Sequence, residues 1–457
     1  MFNKLEKYLF YFFLFSIPFQ TRKILWYEGW RFNEWQSVSI YFTDALLLAL
    51  LLLWCFNSYS RLSNYELRIT NYKKNIITLI LNTKYLIQKS DFYLAAFLIV
   101  SALSITNSTN PIVSWFQWLK LVEFAIFYWY LSNYAFAKFG LYNSFLAVFV
   151  GGIFQSVVAI IQFLKQSSVG LRFLGESIIN SDLSGIASFY LPDGEKVIRA
   201  YGTTPHPNVL AVYLLSVLCI MYYVLWKKSE THTTYYLLLT TYSLVLFAFL
   251  TTFSRTVIFI WFVFFCLGAI IIRLTKRYRL NLGAKEGRKR IKTILLVSLC
   301  LLVIFSSFYF NEIKARLTIS GEDQAVELRA FYASESLKTG FNLFGVGIGN
   351  FVGWMVENNP HLPSYTYQPV HNIYLLIYSE TGILGILFFV AFLIYVIKHF
   401  VSKTRLQKSY HLSFLVFFCS LLFIGFFDHL FLTLQQGSLV FWGGLGLLTY
   451  LSKGDIV

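Results

Sequence analysis

Charge is the first thing this sequence lacks. Charged residues make up 13% of its 457 positions, while 57% are hydrophobic. That composition excludes an ordinary soluble domain of this length. Cysteine is also scarce. Cys55, Cys219, Cys266, Cys300 and Cys419 all fall in or at the ends of apolar runs, with no C-x-x-C and no Cys/His ligand spacing. They read as small hydrophobes rather than metal ligands. No G-x-x-x-x-G-K-[ST] and no G-x-S-x-G occurs, so no nucleotide-driven step and no serine-hydrolase elbow is evident.

What fills the chain instead is apolar runs of about 18 to 25 residues, enough to cross a hydrocarbon core as helices. The expected fold is all-α: a polytopic membrane helical bundle with about twelve transmembrane helices. They are placed near 8–20, 41–56, 91–106, 112–136, 141–164, 207–226, 233–253, 256–272, 293–310, 371–397, 411–427 and 431–451. The first run follows Lys4 and Lys7 and lacks a small-residue cleavage site, which reads as a retained span. No long polar linker divides the chain, so residues 1–457 read as one membrane-embedded domain.

The net charge of +16 raises the question of nucleic acid, and its distribution answers it. With the N-terminus inside, the inner segments hold 25 Lys and Arg and the outer segments 12, with Lys120 inside a span. This is the positive-inside bias of a membrane topology, and no nucleic-acid partner is expected. Two inner stretches carry much of the charge. Residues 57–90 include "NIITLILNTKYLIQ", read as an amphipathic helix on the membrane surface. Residues 273–292 are a basic loop.

The informative segments lie outside. One spans about 165–206. The other, 311–370, is far longer than a usual connection and reads as an ordered, partly helical outer loop. Within it "AVELRAFYASESLK" places Leu328, Phe331, Tyr332 and Glu335 at helical spacing. "LFGVGIGNF" is a G-x-G-x-G run with no βαβ context. It reads equally as an anion-binding turn or a plain tight turn.

Arginines on the outer side run against the inside rule, which marks Arg199, Arg255, Arg316 and Arg329. A guanidinium stays charged and grips phosphate through two parallel bonds. The bland alternative is interfacial anchoring, or pairing with Glu322, Asp323 and Glu327. His371, at the mouth of the tenth run, is the natural base, since its ordinary pKa near 6.5 leaves it neutral at pH 7. By itself such a histidine is more often merely interfacial. Asn372 either caps the helix or orients a ligand. His206 and His361 have weaker claims. The outer loops hold no D-x-D or E-x-D, only the adjacent Glu322 and Asp323. Metal-free, cofactor-free chemistry is therefore expected. Lys120 and Glu380 fall at equal depth on their helices, which predicts an ion pair, with Glu123 as competitor.

Four stretches in order, "RAYGTTPHPNVLAVYL", "TTFSRT", "LRAFYASESLKTGFNLFGVGIGNF" and "VHNIYLLIYSETGILG", resemble the O-antigen ligase and O-antigen polymerase family over roughly 112–450. That resemblance implies a glycosyltransferase of the bacterial cytoplasmic (inner) membrane, active on its outer face. The donor would be a glycan on undecaprenyl diphosphate, and the acceptor a glycan, lipid or protein. By the same resemblance His371 matches the histidine that activates the acceptor hydroxyl. Arg255 and Arg329 match arginines on the carrier diphosphate, and Arg199 matches loosely. Attack opposite a diphosphate leaving group implies inversion at the anomeric carbon. A transporter or flippase of lipid-linked glycans is the runner-up, because buried charges such as Lys120, Glu123 and Glu380 suit one too.

Overall fold

The computed structural model describes residues 2–29, 32–66, 89–227, 232–263, 265–266, 285–318, 324–404 and 409–454. The surface helix expected within 75–88, most of the basic 273–292 loop, the end of the 256–272 run and the Glu322–Asp323 pair lie outside the described residues. The architecture is a helical bundle. Among the described residues four helices are long and apolar enough to cross a membrane, namely Lys89–Asn107, Leu141–Lys165, Pro207–Val224 and Ile373–Thr404. The bent pair Lys292–Phe308 and Phe310–Leu317 makes a fifth if it is one span. The apolar helices Phe42–Ser58, Tyr235–Thr251 and Tyr410–Ile424 are shorter. Of the expected twelve crossings, four or five are matched by length and composition among the described residues.

We label the helices in chain order: α1 (Phe2–Ser16), α2 (Phe42–Glu66), α3 (Lys89–Ser104), α4 (Pro111–Tyr130), α5 (Leu141–Lys165), α6 (Pro207–Lys227) and α7 (His232–Thr251). Then follow α8 (Lys285–Phe308), α9 (Phe310–Leu317), α10 (Gln324–Lys338), α11 (Phe351–Asn358), α12 (Ile373–Thr404), α13 (Ser409–Ile424) and α14 (Gln435–Ser452). The centre is α6. Its residues Leu210 to Leu215 are nearly inaccessible, as a helix apolar on every side requires. It packs on α5, α7, α13 and α14.

Two hairpins depart from the all-helical expectation. Arg22–Tyr27 pairs antiparallel with Ser37–Tyr41, and Ser188–Tyr190 with Lys196–Ile198. Both fall in segments assigned to the outside, where backbone polar groups can reach water.

The expected outer helix is present as α10. Its Tyr332 joins Phe351, Met355, Val370 and Leu376 in a small second core, with Leu328 and Phe331 against it. Each such side chain contributes about 1.5–3 kcal/mol by burial. This core fixes the outer loop over the mouth of α12.

A break in α12 completes the anchoring. Gly382 has φ +71° inside the helix. The freed backbone groups pair with the glycine-rich loop: the amides of Val346 and Gly347 donate to Ser379 and Glu380, and the Ile383 amide donates to Asn342 (2.9, 3.0 and 3.0 Å). "LFGVGIGNF" is therefore a tight turn docked on a broken helix. A Cβ on Gly382 would lie 2.4 Å from the Leu343 carbonyl carbon. Gly382→Ala is accordingly expected to cost at least about 1–3 kcal/mol, read as a lower unfolding temperature in detergent. An unchanged temperature would show that the break is not required.

The expected Lys120–Glu380 pair does not form. Lys120 Nζ lies 2.7 Å from Asp44 Oδ1 and 2.6 Å from Glu123 Oε2. Glu123 is three residues along the same helix face, and Asp44 stands in the first turn of α2. Glu380 instead turns its carboxylate to the start of α11, where the Phe351 amide donates to it at 3.4 Å. Equal depth was a poor guide, because it fixes the level of a side chain and not the neighbour it faces: Lys120 faces α2 and Glu380 faces the start of α11.

Candidate functional site

The site is assembled where α12 begins. Asn372 accepts hydrogen bonds from the Tyr374 and Leu375 amides (2.9 and 3.1 Å) through its side-chain oxygen. It is the N-cap, so of its two expected roles the structure shows the capping one. The Ile373 amide donates to the Gly425 carbonyl (2.8 Å), which ties the start of α12 to the end of α13. The turn after α13 therefore delivers Asp428 and His429 beside His371.

The His371 and His429 rings are 4.7 Å apart between centroids. His371 Nδ1 lies 3.9 Å from Asp428 Oδ1, with the two side chains 24% and 13% exposed. That is beyond a hydrogen bond, and His371 Nδ1 is buried without a hydrogen-bond partner. The Tyr332 ring is 5.9 Å from the His371 ring, and its hydroxyl is likewise buried and unbonded. Two buried polar groups at one spot are thus left with hydrogen-bonding capacity to spare. The Trp35 ring closes the other side, edge-on to His429 at 5.1 Å.

Behind Asp428 stands a relay. The Asn208 amide donates to Asp428 Oδ2 (2.9 Å). Arg199 Nη2 donates to the Asn208 oxygen (2.6 Å) and its Nε to the Thr252 carbonyl (2.7 Å). Ser254 also donates to Asn208 (3.0 Å). The "RAYGTTPHPN" segment carrying Arg199 and Asn208 is held by two glutamines of α5. Gln162 accepts from the Tyr201 and Gly202 amides, and Gln155 from the Thr203 amide. Gly202 needs its φ of +60° to pass under Gln155.

Electrostatics follow from this crowding. Burial pushes His429 down to about 3, helped by His371 beside it. Burial and the Arg199 guanidinium do the same to His206. Burial and Arg329 lower His371 as well, while Asp428 pulls the other way. All three imidazoles are thus neutral at pH 7. Burial raises Asp428, but His429, His371, His206 and the Asn208 amide outweigh it, and the carboxyl sits below its usual value. Arg199 is brought down to about 9 by burial first, then by Arg316 and Arg255.

Arg199, Arg255 and Arg316 lie within electrostatic reach of one another, and Arg329 within reach of His371. Arg199 is 5% exposed and committed to protein groups, so it positions Asn208 more than it offers a free fork. Arg316 donates from Nε to the Phe253 carbonyl (3.2 Å). Arg255 opens the helix after the "TTFS" turn, half-buried, with Phe253 at φ +44° before it. Arg329, half-buried on α10, reaches His371 and His429 electrostatically. His361 is exposed and outside the cluster. Sequence reasoning missed Asp428, His429 and Asn208. A carboxylate in the three-residue turn between two apolar runs, next to a histidine, was the available signal.

Chemically, the cluster offers a neutral base with a carboxylate behind it, and several cations nearby. No curated protein matches the chain. Residues 240–390 match the family model described as O-antigen ligase, a segment holding Arg255, Arg316, Arg329 and His371.

Proposed function

We propose that the protein transfers an oligosaccharide or polysaccharide from undecaprenyl diphosphate to an acceptor, with inversion and without a metal. The proposed place is the outer face of the bacterial inner membrane. The observation that carries this reading is the meeting of His371 with Asp428 beneath the outer arginines. In the step, His371 takes the acceptor hydroxyl proton as the acceptor oxygen bonds to the sugar C1. The C1–O bond to the carrier breaks, and undecaprenyl diphosphate leaves with the electron pair. Asp428 steadies the imidazolium that forms. Arg255 and Arg329, with Arg316, stabilise charge growing on the leaving diphosphate. His371, Arg255, Arg316 and Arg329 all lie in the segment matching an O-antigen ligase, which supports glycan transfer at the family level. The positive-inside bias supports the outer-face placement, because it puts the segments bearing these groups outside.

The test is reconstitution in liposomes with a labelled undecaprenyl-diphosphate oligosaccharide and a choice of lipid, glycan and protein acceptors. Labelled product is expected with one acceptor class, with inverted anomeric configuration, and undiminished in excess EDTA. Turnover lost in chelator and restored by Mg²⁺ or Mn²⁺ would remove the metal-free part. Carrier crossing the bilayer with no transfer to any acceptor would favour a transporter, to which the buried Lys120–Asp44–Glu123 group is also suited.

A further inference from the structure

We propose that His371, Asp428 and His429 form a binding site for a divalent transition ion such as Zn²⁺, and that the bound ion silences the base. The inhibitory half rests on the reading of His371 given above; the binding half does not.

One ligand atom from each of the three residues lies within 4.8 Å of the others. Around a tetrahedral Zn²⁺ at about 2.0–2.2 Å, ligand atoms stand roughly 3.3–3.6 Å apart. The His371 Nδ1 to Asp428 Oδ1 distance is already 3.9 Å, so small side-chain rotations close the set. The lone pairs are available. Asp428 uses Oδ2 for Asn208, which leaves Oδ1 towards His371. The Thr433 hydroxyl donates to the His429 carbonyl (3.2 Å), so it accepts from His429 Nδ1–H (2.6 Å), which leaves the Nε2 lone pair. His371 Nδ1 is buried and unbonded. The Asn208 and Thr433 bonds are the outer partners that orient metal ligands.

Two imidazoles and one carboxylate select the class of ion. They suit Zn²⁺, Co²⁺, Ni²⁺ or Cu²⁺, whereas Mg²⁺ and Ca²⁺ want oxygen ligands. The guanidiniums of Arg199 and Arg329 oppose any cation, so the ion is held reversibly, as an inhibitor rather than a resident cofactor. The inhibition needs no particular nitrogen. A neutral imidazole has one lone pair; once a metal takes it, the other nitrogen carries the proton and the ring accepts none.

The probe is Co²⁺, titrated into the full-length protein in detergent at pH 7.5 without substrate. Visible absorption of a low-symmetry nitrogen and oxygen site is expected, displaced by Zn²⁺. Zn²⁺ should also raise the unfolding temperature of the unsubstituted protein by mass action. His371→Ala, Asp428→Asn and His429→Gln should each abolish the spectrum, and are judged only where helical circular dichroism is retained. In liposomes Zn²⁺ should cut transfer by about 10², the share a general base supplies, with recovery in EDTA. No Co²⁺ spectrum and no thermal shift, or a spectrum surviving all three substitutions, overturns the site. Co²⁺ binding with transfer indifferent to Zn²⁺ overturns the inhibition alone. Absence of transfer under any condition bears on the proposed function and leaves the binding result standing.

Discussion

His371→Ala is expected to lower glycan transfer by about 10² or more while carrier binding stays nearly intact. That is the usual contribution of a general base, about 2.7 kcal/mol of barrier for a hundredfold loss. The substitution removes no charge from the ground state, because the neutral ring dominates at pH 7. The pH profile carries further information. Only the neutral imidazole accepts a proton, so activity rises with pH through the His371 pKa and is flat above it. Since burial and Arg329 lower that pKa, the acid limb should lie below the ordinary value near 6.5. Arg329→Ala removes a lowering influence and should move the limb up. Asp428→Asn removes the one raising influence and should move it down, with a lower plateau because the imidazolium loses its counter-charge. Single-turnover transfer measured across pH 5 to 8 reads both shifts. Limbs moving in the same direction for the two variants would separate Asp428 from the base, and wild-type transfer by His371→Ala would end the assignment.

How much of this was legible in the sequence differs group by group. The arginines announced themselves through charge, since the positive-inside assignment puts Arg255, Arg316 and Arg329 in segments where Arg is disfavoured. The outer helix was legible because Tyr332 and Glu335 recur at helical spacing, and both are buried where α10 meets its neighbours. Asp428 was not legible as a partner of His371. Fifty-seven positions separate them, and they are brought together by the backbone bond from Ile373 to Gly425 and by Tyr374, whose hydroxyl donates to the Leu422 carbonyl, pairings that no local periodicity encodes. Asn208 carries no charge, and its position between Arg199 and Asp428 depends on two glutamines of α5. The glycine run could not be resolved between nest and turn because its partner is the break at Gly382. The depth argument for Lys120 failed for another reason: level along a helix does not say which neighbour a side chain faces. Local periodicity is written in the chain, whereas the meeting of four loops at one helix mouth depends on packing.

The arginines should separate by function when each is removed. Arg255→Ala and Arg329→Ala should weaken carrier binding by about 10- to 100-fold, the loss of one charge-assisted grip worth roughly 1.5–3 kcal/mol. Turnover should fall as well, because the diphosphate is charged in both the bound and the transition state. Lysine at either position should rescue only in part, since an ammonium lacks the planar fork. Arg199 predicts a different pattern. Its Nε and Nη2 are spent on Thr252 and Asn208, so Arg199→Ala takes the support from behind Asp428 rather than a ligand from the carrier. Affinity should change little, while turnover falls and the acid limb shifts as Asp428 loosens. The protein should also unfold at lower temperature, because the Thr252 carbonyl loses the Arg199 donor and the Asn208 oxygen keeps Ser254 but loses its charged donor. Carrier affinity, single-turnover rate and unfolding temperature for the set Arg199→Ala, Arg255→Ala, Arg316→Ala and Arg329→Ala distinguish the two duties. Normal affinity in both Arg255→Ala and Arg329→Ala, with loss in Arg316→Ala, would move the clamp to Arg316. Loss of affinity in Arg199→Ala alone would make the buried guanidinium the ligand, and would require it to leave Asn208 when the carrier binds.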